Sequence, residues 1–239
     1  MDLKDQRVVV MGGTSGIGLA VAETAAAAGA QVTIASSKQS SVDSALGHLP
    51  SGTAGKAADL TNPEAVDSLF DSLGEIDHVV YTAGDPLVIM KVEDLDLETA
   101  KKAFNVRFFG ALSAAHAAAP KLRSNGSITL TTGVAKERPD AGWAVAAGVC
   151  GAVESLTRAL AVELAPIRVN SVSPGVVRSP LWSGMGETER EQFYRHMGES
   201  IPAGRVGEVQ DIARAYVYCM TEPFATGTVM TVDGGAVLV

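Results

Sequence analysis

Residues 12–18 read Gly-Gly-Thr-Ser-Gly-Ile-Gly, and no other stretch restricts the fold of this chain so narrowly. An apolar run, Val8, Val9, Val10 and Met11, precedes them with the β-branched bias and length of a buried strand. Leu19 to Ala28 follows, alanine-rich and of high helix propensity, with Gly29 placed to end it. A strand that turns through glycines into a helix gathers free backbone N–H groups and a positive dipole end at one point. That is an anion site, most often for phosphate or pyrophosphate. Glycine is needed because a Cβ would block the tight turn or the close approach of a ligand. The alternative at this point is a loop that merely turns tightly.

Strand and helix patterns alternate from end to end, as in a parallel sheet covered on both faces. The 239 residues are 46% hydrophobic and 19% charged, which excludes disorder and suits one large α/β domain, 1–239, without repeats or a dividing linker. A net charge of −8 with no Lys/Arg cluster argues against nucleic-acid binding. The start, Met1 to Asp5, lacks the apolar segment of a signal peptide. The longest apolar run, Ala144 to Val153, is shorter than a bilayer requires. The expectation is a soluble cytoplasmic protein without membrane partners. Cys150 and Cys219, the two cysteines, show neither a disulfide framework nor metal-ligand spacing.

The glycine spacing is Gly12, Gly16, Gly18, not G-x-G-x-x-G, since Val21 stands where a third glycine would be. This G-x-x-x-G-x-G resembles the cofactor loop of the short-chain dehydrogenase/reductase family. Further segments carry the likeness in order: Asp59-Leu60, Thr82-Ala83-Gly84, Asn105 within Ala-Phe-Asn-Val-Arg, Arg168-Val-Asn-Ser-Val-Ser-Pro-Gly175 and Thr226 to Gly235. The resemblance implies a single Rossmann-type doubly wound domain with a central seven-stranded parallel sheet and helices on both faces. It implies a cofactor half about 1–125, a catalytic and substrate half about 126–239, and a lid about 178–205. It makes Gly12, Thr14, Ser15, Gly16, Ile17 and Gly18 cofactor-binding, with Asp59 and Leu60 at the adenine and Ala83 and Gly84 close to the cofactor backbone. Pro174, Gly175 and Val177 would border the nicotinamide, with Ser179 at its carboxamide. Asn105 would kink a long helix from about Leu97 to Ala119 and hold a water in the proton relay. That helix and the one from about Gly142 to Leu164 match the family's dimerising pair, so a homodimer or homotetramer is expected.

Gln31 to Ala35 reads as the second strand, and Ser36-Ser37-Lys38 follows where such a fold meets the adenosine ribose. A carboxylate there would hold the 2′-hydroxyl of NAD and repel a 2′-phosphate. The segment offers hydroxyls and a lysine, with no acid until Asp43, so NADP(H) is favoured over NAD(H). The competing account is a solvated serine turn.

The chemistry departs from the family. Its members use a Tyr to move the proton, a Lys four residues later and a Ser to polarise the carbonyl. Aligning Gly151 to Leu164 with the helix that follows the Lys places Cys150 at the Lys position and Ala146 at the Tyr position. Gly133 then falls at the Ser position. No Tyr-x-x-x-Lys occurs in the chain. Three readings follow: an oxidoreductase with relocated proton transfer, a non-redox cyclase or isomerase using the same pocket, or a non-catalytic NADP(H)-binding protein. Lys136, Glu137, Arg138, Tyr194 and His196 are the candidate replacements for the proton donor. Cys150 is either a nucleophile or, more in keeping with a helix interior, a small packing residue. Trp143 would line the pocket or pack under the lid.

Overall fold

Apolar runs without alternation become the middle of a sheet covered on both faces. The computed structural model describes residues 2–239. Its first half runs β1 (Arg7–Met11), α1 (Gly16–Ala27), β2 (Gln31–Ser36), α2 (Gln39–Leu46), β3 (Ala54–Ala57), α3 (Pro63–Asp71) and β4 (Ile76–Tyr81). After these come α4 (Leu97–Phe104), a π-helical segment (Asn105–Gly110), α5 (Ala111–Ala118), β5 (Leu122–Thr131), α6 (Ala144–Glu163) and β6 (Arg168–Pro174). The chain closes with β7 (Val177–Arg178), α7 (Glu187–Glu199), β8 (Gly207–Glu208), α8 (Val209–Thr221) and β9 (Val229–Val232).

Seven strands form one parallel sheet in the order β3-β2-β1-β4-β5-β6-β9. β4 and β6 are buried along their whole length. One apolar core lies under α3, α5 and α6, with Phe70, Tyr81 and Ile128 in it. The other lies under α1, α2 and α8, with Ile34, Ile212 and Tyr216. The chain leaves β1 toward β2 on one side, and β4 lies on the other. A crevice therefore opens at the carboxyl ends of β1 and β4, where open α/β sheets take their ligands.

Local chemistry fixes the element ends. Asn62 caps α3, accepting from Glu64 N at 3.0 Å, with Pro63 in the first turn. Arg168, at the start of β6, caps the end of α8, donating to the carbonyls of Cys219 at 2.6 Å and Met220 at 2.7 Å. Asn170 ties β6 to the approach of β9, donating to Ala225 O and accepting from Thr228 N. The polar residues of Arg168-Val169-Asn170 thus have structural duties.

Two expectations about helices gain detail. The stretch expected over 97–119 is helical to Ala118, and from Asn105, where a kink was expected, Asn105–Gly110 takes the wider π turn. The Tyr81 hydroxyl donates to Val106 O at 2.6 Å inside that turn, and a Cβ on Gly110 would stand 2.3 Å from the same hydroxyl. Helix α6 exceeds its apolar run and is, by length and composition alone, able to cross a bilayer. Its buried positions, Ala146, Val149, Val153, Thr157, Leu160 and Ala161, recur at helical spacing, the pattern of one face laid on a core.

At the far end of the sheet from the crevice, His78 is buried between Ser127 Oγ at 2.8 Å from Nδ1 and Gln6 Oε1 at 2.6 Å from Nε2. Burial, reinforced by the charge of Arg168 and opposed by Asp77, pushes its pKa down to about 4 from 6.5. The folded chain refuses a proton that the unfolded chain accepts, so this contribution to stability is whole above the unfolded value and is lost as pH falls. The loss should amount to about 3 kcal/mol between about pH 6.5 and pH 4, then level off. Urea denaturation of wild type and His78→Gln across that window checks it: the difference between the two should change with pH inside the window and not above it.

Candidate functional site

Two close approaches build the crevice. Gly12 has φ +87°, and a Cβ on it would stand 2.6 Å from Ala83 N. A Cβ on Gly18 would stand 2.2 Å from Gly12 O. The loop between them leads into α1 through Ser15, which is extended and makes no side-chain capping bond, and the first turn carries no acid. The leading N–H groups of α1 and its positive dipole end therefore face the crevice unsatisfied, a cradle suited to an anion.

The crevice widens into a cavity of about 540 Å³. Gly12, Thr14, Ser15, Gly16, Ile17 and Gly18 line one end with Ser36, Ser37, Asp59 and Leu60. Thr14 Oγ1 donates to Ser36 Oγ at 3.2 Å. Asp59 accepts from Thr61 N at 2.9 Å and from its hydroxyl at 2.7 Å; these bonds, the backbone one first, hold its carboxyl below the usual range. Ala83, Gly84, Pro174, Gly175, Val177 and Ser179 line the middle. Beyond them lies an apolar chamber walled by Leu87, Val134, Trp143, Ala146, Leu181 and Trp182, with Gly133 and Cys150 on one side. A Cβ on Gly133 would lie 3.3 Å from Cys150 Sγ, so these two positions face each other. Trp143 both lines the chamber and packs toward the Trp182–Tyr194–Val206 cluster, so its two readings are compatible.

Of the expected site residues, Asn105 lies elsewhere and Lys38 stands one residue beyond the cavity lining. Asn105 is exposed at the start of the π segment and borders a separate cavity of about 190 Å³ with Pro63, Phe109 and Ser113. Arg107, two residues on and therefore on the opposite side of the helical stretch, lines the main cavity in its place. Lys38 is exposed at the N-cap of α2 and does not line the cavity, although Ser36 and Ser37 before it do. The candidate proton donors also miss. Lys136 is held between Glu137 and Glu154, the latter at 2.8 Å. Arg138 reaches Ala236 O, Tyr194 is buried beneath the Arg178 guanidinium at 4.5 Å, and His196 is exposed. None of them, nor Glu137, lines the cavity.

Arg107 is the residue that reading the sequence missed. It is the one Lys or Arg lining the cavity, and among the described residues it has no carboxylate at ion-pair distance. It donates through one Nη to Asp85 O at 2.5 Å, and the guanidinium occupies the space a side chain at Gly84 would fill. Burial lowers its pKa, against the opposing influence of Cys150, Asp85 and Tyr81. The hint in the sequence was Gly110, whose lack of a side chain admits the Tyr81 hydroxyl and with it the π turn.

All 239 residues match the family model described as an SDR-like Rossmann domain. The curated short-chain dehydrogenase/reductase ucsE of an Acremonium species is 38% identical over 99% of this chain and 97% of its own. A solved small-chain dehydrogenase in complex with NADPH is 36% identical with a TM-score of 0.87, covering 99% of this chain and 100% of that one. The MalC reductase/Diels-Alderase of Malbranchea aurantiaca is 31% identical with a TM-score of 0.92, covering 99% and 98%.

Burial raises the Cys150 thiol above its ordinary value, and the Arg107 charge only partly offsets it. The group stays a thiol near neutrality, as a packing residue does. Iodoacetamide should label Cys150 slowly at neutral pH, with the rate still climbing beyond about pH 9, and Arg107→Gln should slow it further. Mass spectrometry of the labelled peptide checks this; a plateau near neutral pH would mark a reactive thiolate instead.

Proposed function

The chain belongs to the short-chain dehydrogenase/reductase family, and on that premise we propose that it is an NADP(H)-dependent oxidoreductase acting by hydride transfer on a small carbonyl, imine or activated alkene. The observation that carries this reading is the continuity of one cleft, from the uncapped helix end at Gly12–Gly18 to the apolar chamber. The N–H groups at the start of α1 would hold a pyrophosphate, Asp59 and Leu60 an adenine, and Ala83, Gly84, Pro174 and Gly175 a nicotinamide arm. Ser36 and Ser37, with Lys38 next to them, favour a 2′-phosphate over a bare ribose. When bound, the reduced nicotinamide would supply a hydride. That a relative of similar fold is in complex with NADPH supports the assignment.

The side chains of Gly133, Ala146 and Cys150 offer no group that exchanges protons near neutrality. General acid–base groups are worth about 10²–10⁴-fold in rate, so an unactivated ketone would react slowly. The chamber suits a substrate already polarised for attack. A second reading draws support from the same feature: an apolar chamber whose Gly133, Ala146 and Cys150 positions offer no proton donor near neutrality can orient a reactant for a non-redox cyclisation, and the MalC protein is named for both activities. Self-association through α5 and α6 is part of the proposal, since Leu112 and Val162 on these helices and Phe109 just before them are exposed, Val162 to 82%.

Calorimetric titration of the purified protein should give NADPH binding about tenfold or more tighter than NADH, a margin typical of a charge-assisted phosphate contact, and Lys38→Ala should erase most of it. Equal affinities, or no effect of the substitution, would remove the NADP preference. Absence of binding by either nucleotide at millimolar concentration would leave the non-redox reading in front. Sedimentation equilibrium should show a dimer or tetramer, and a stable monomer would overturn self-association through α5 and α6.

A further inference from the structure

Resting on the reading that the apolar end of the cleft takes the substrate, we propose that Arg107 forms an oxyanion subsite there. The chamber's ligand is then an apolar, conjugated carbonyl compound such as a ketone, quinone or enone, and not a cationic iminium. A guanidinium presents five N–H donors in a fixed fork, and Arg107 commits one nitrogen to Asp85 O while facing the cavity with no carboxylate partner. A half-buried cation in that condition is completed by a ligand that brings negative charge. The cavity that Arg107 faces is also lined by Leu87, Val134, Trp143, Leu181 and Trp182, which match a flat hydrocarbon skeleton and carry no charge. A cationic ligand would meet the guanidinium where water is scarce and repulsion is strong. The carboxylate of Asp85 is the acidic group nearest to hand, but it is exposed, where solvent screens it.

The arrangement supplies what Gly133, Ala146 and Cys150 lack. As a C–H bond forms at the carbonyl carbon, or at the β-carbon of an enone, the π pair moves onto oxygen and Arg107 holds the charge that gathers there. The two electrons come from the reduced nicotinamide of the preceding proposal, and the oxyanion then takes its proton from solvent water.

The test needs no turnover. Trp143 and Trp182 are the chain's two tryptophans and both line the cavity, so intrinsic fluorescence reports its occupancy directly. Three probes of one size would be titrated into the purified protein: naphthol, methoxynaphthalene and N-methylquinolinium. Naphthol should bind about tenfold or more tighter than its methyl ether at a pH where the free phenol is partly ionised, and the quinolinium weakest. Absorbance of bound naphthol should show it ionising about one pH unit or more below the free compound. Arg107→Gln should abolish the preference and Arg107→Lys should retain part of it, both with methoxynaphthalene affinity intact as the sign of a folded chamber. Quinolinium binding as tight as naphthol, or a naphthol preference surviving in Arg107→Gln, would overturn the proposal. Competition between NADP⁺ and naphthol would also overturn it, by assigning the guanidinium to the cofactor. A naphthol preference in a protein that binds no NADP⁺ would uphold the subsite while refuting the cofactor reading.

Discussion

The molecule depends on how closely backbone passes backbone at the carboxyl ends of β1 and β4. Thr82 N donates to Met11 O at 2.8 Å and Gly12 N to Ala35 O at 2.8 Å, so three neighbouring strands are tied together just where the glycine loop leaves the sheet. No side chain fits between Gly12 and Ala83. That tightness brings the start of α1 over the crevice, and each functional feature described above is placed relative to it. A parallel sheet supplies the crevice, and glycine lets a ligand reach its floor.

The chamber beyond sets neutral side chains against a single cation. One side holds Gly133, Ala146 and Cys150, which give space and polarisability; another holds a guanidinium without an acidic partner. Charge stabilisation by a preorganised donor and proton transfer by an acid are separate contributions to catalysis, and a site can keep the first while lacking the second. The apolar walls strengthen the guanidinium's field by excluding solvent.

Nearly all of the fold was legible in the sequence, because its determinants are local. A glycine loop between an apolar run and an alanine-rich helix, Asn62 before Pro63, and alternation of strand and helix each act within a few residues. That Ser36, Asp59, Gly84 and Gly175 line one cleft was legible for the same reason, since they lie at or just past the ends of strands. What escaped was decided between elements. Asn105 turns out of the main cavity and Arg107 into it, on a π turn pinned from β4 by the Tyr81 hydroxyl. Lys136, a candidate proton donor in the sequence, is held by Glu154 on α6. Tyr194, a candidate proton donor in the sequence, lies buried under Arg178 and outside the cavity. Periodicity cannot report a phase shift imposed by a tyrosine two elements away, nor an ion pair closed by folding.

The recessed Arg107 sits in a chain whose net charge is −8. An anionic ligand is thus repelled at a distance and attracted on contact. Salt screens the long-range repulsion over about 10 Å, while a contact shielded by apolar walls feels it far less. Added salt therefore speeds the arrival of anions at this cleft and leaves their departure nearly unchanged, the reverse of electrostatic steering. A substrate that develops its charge only inside the chamber meets none of this repulsion on the way in.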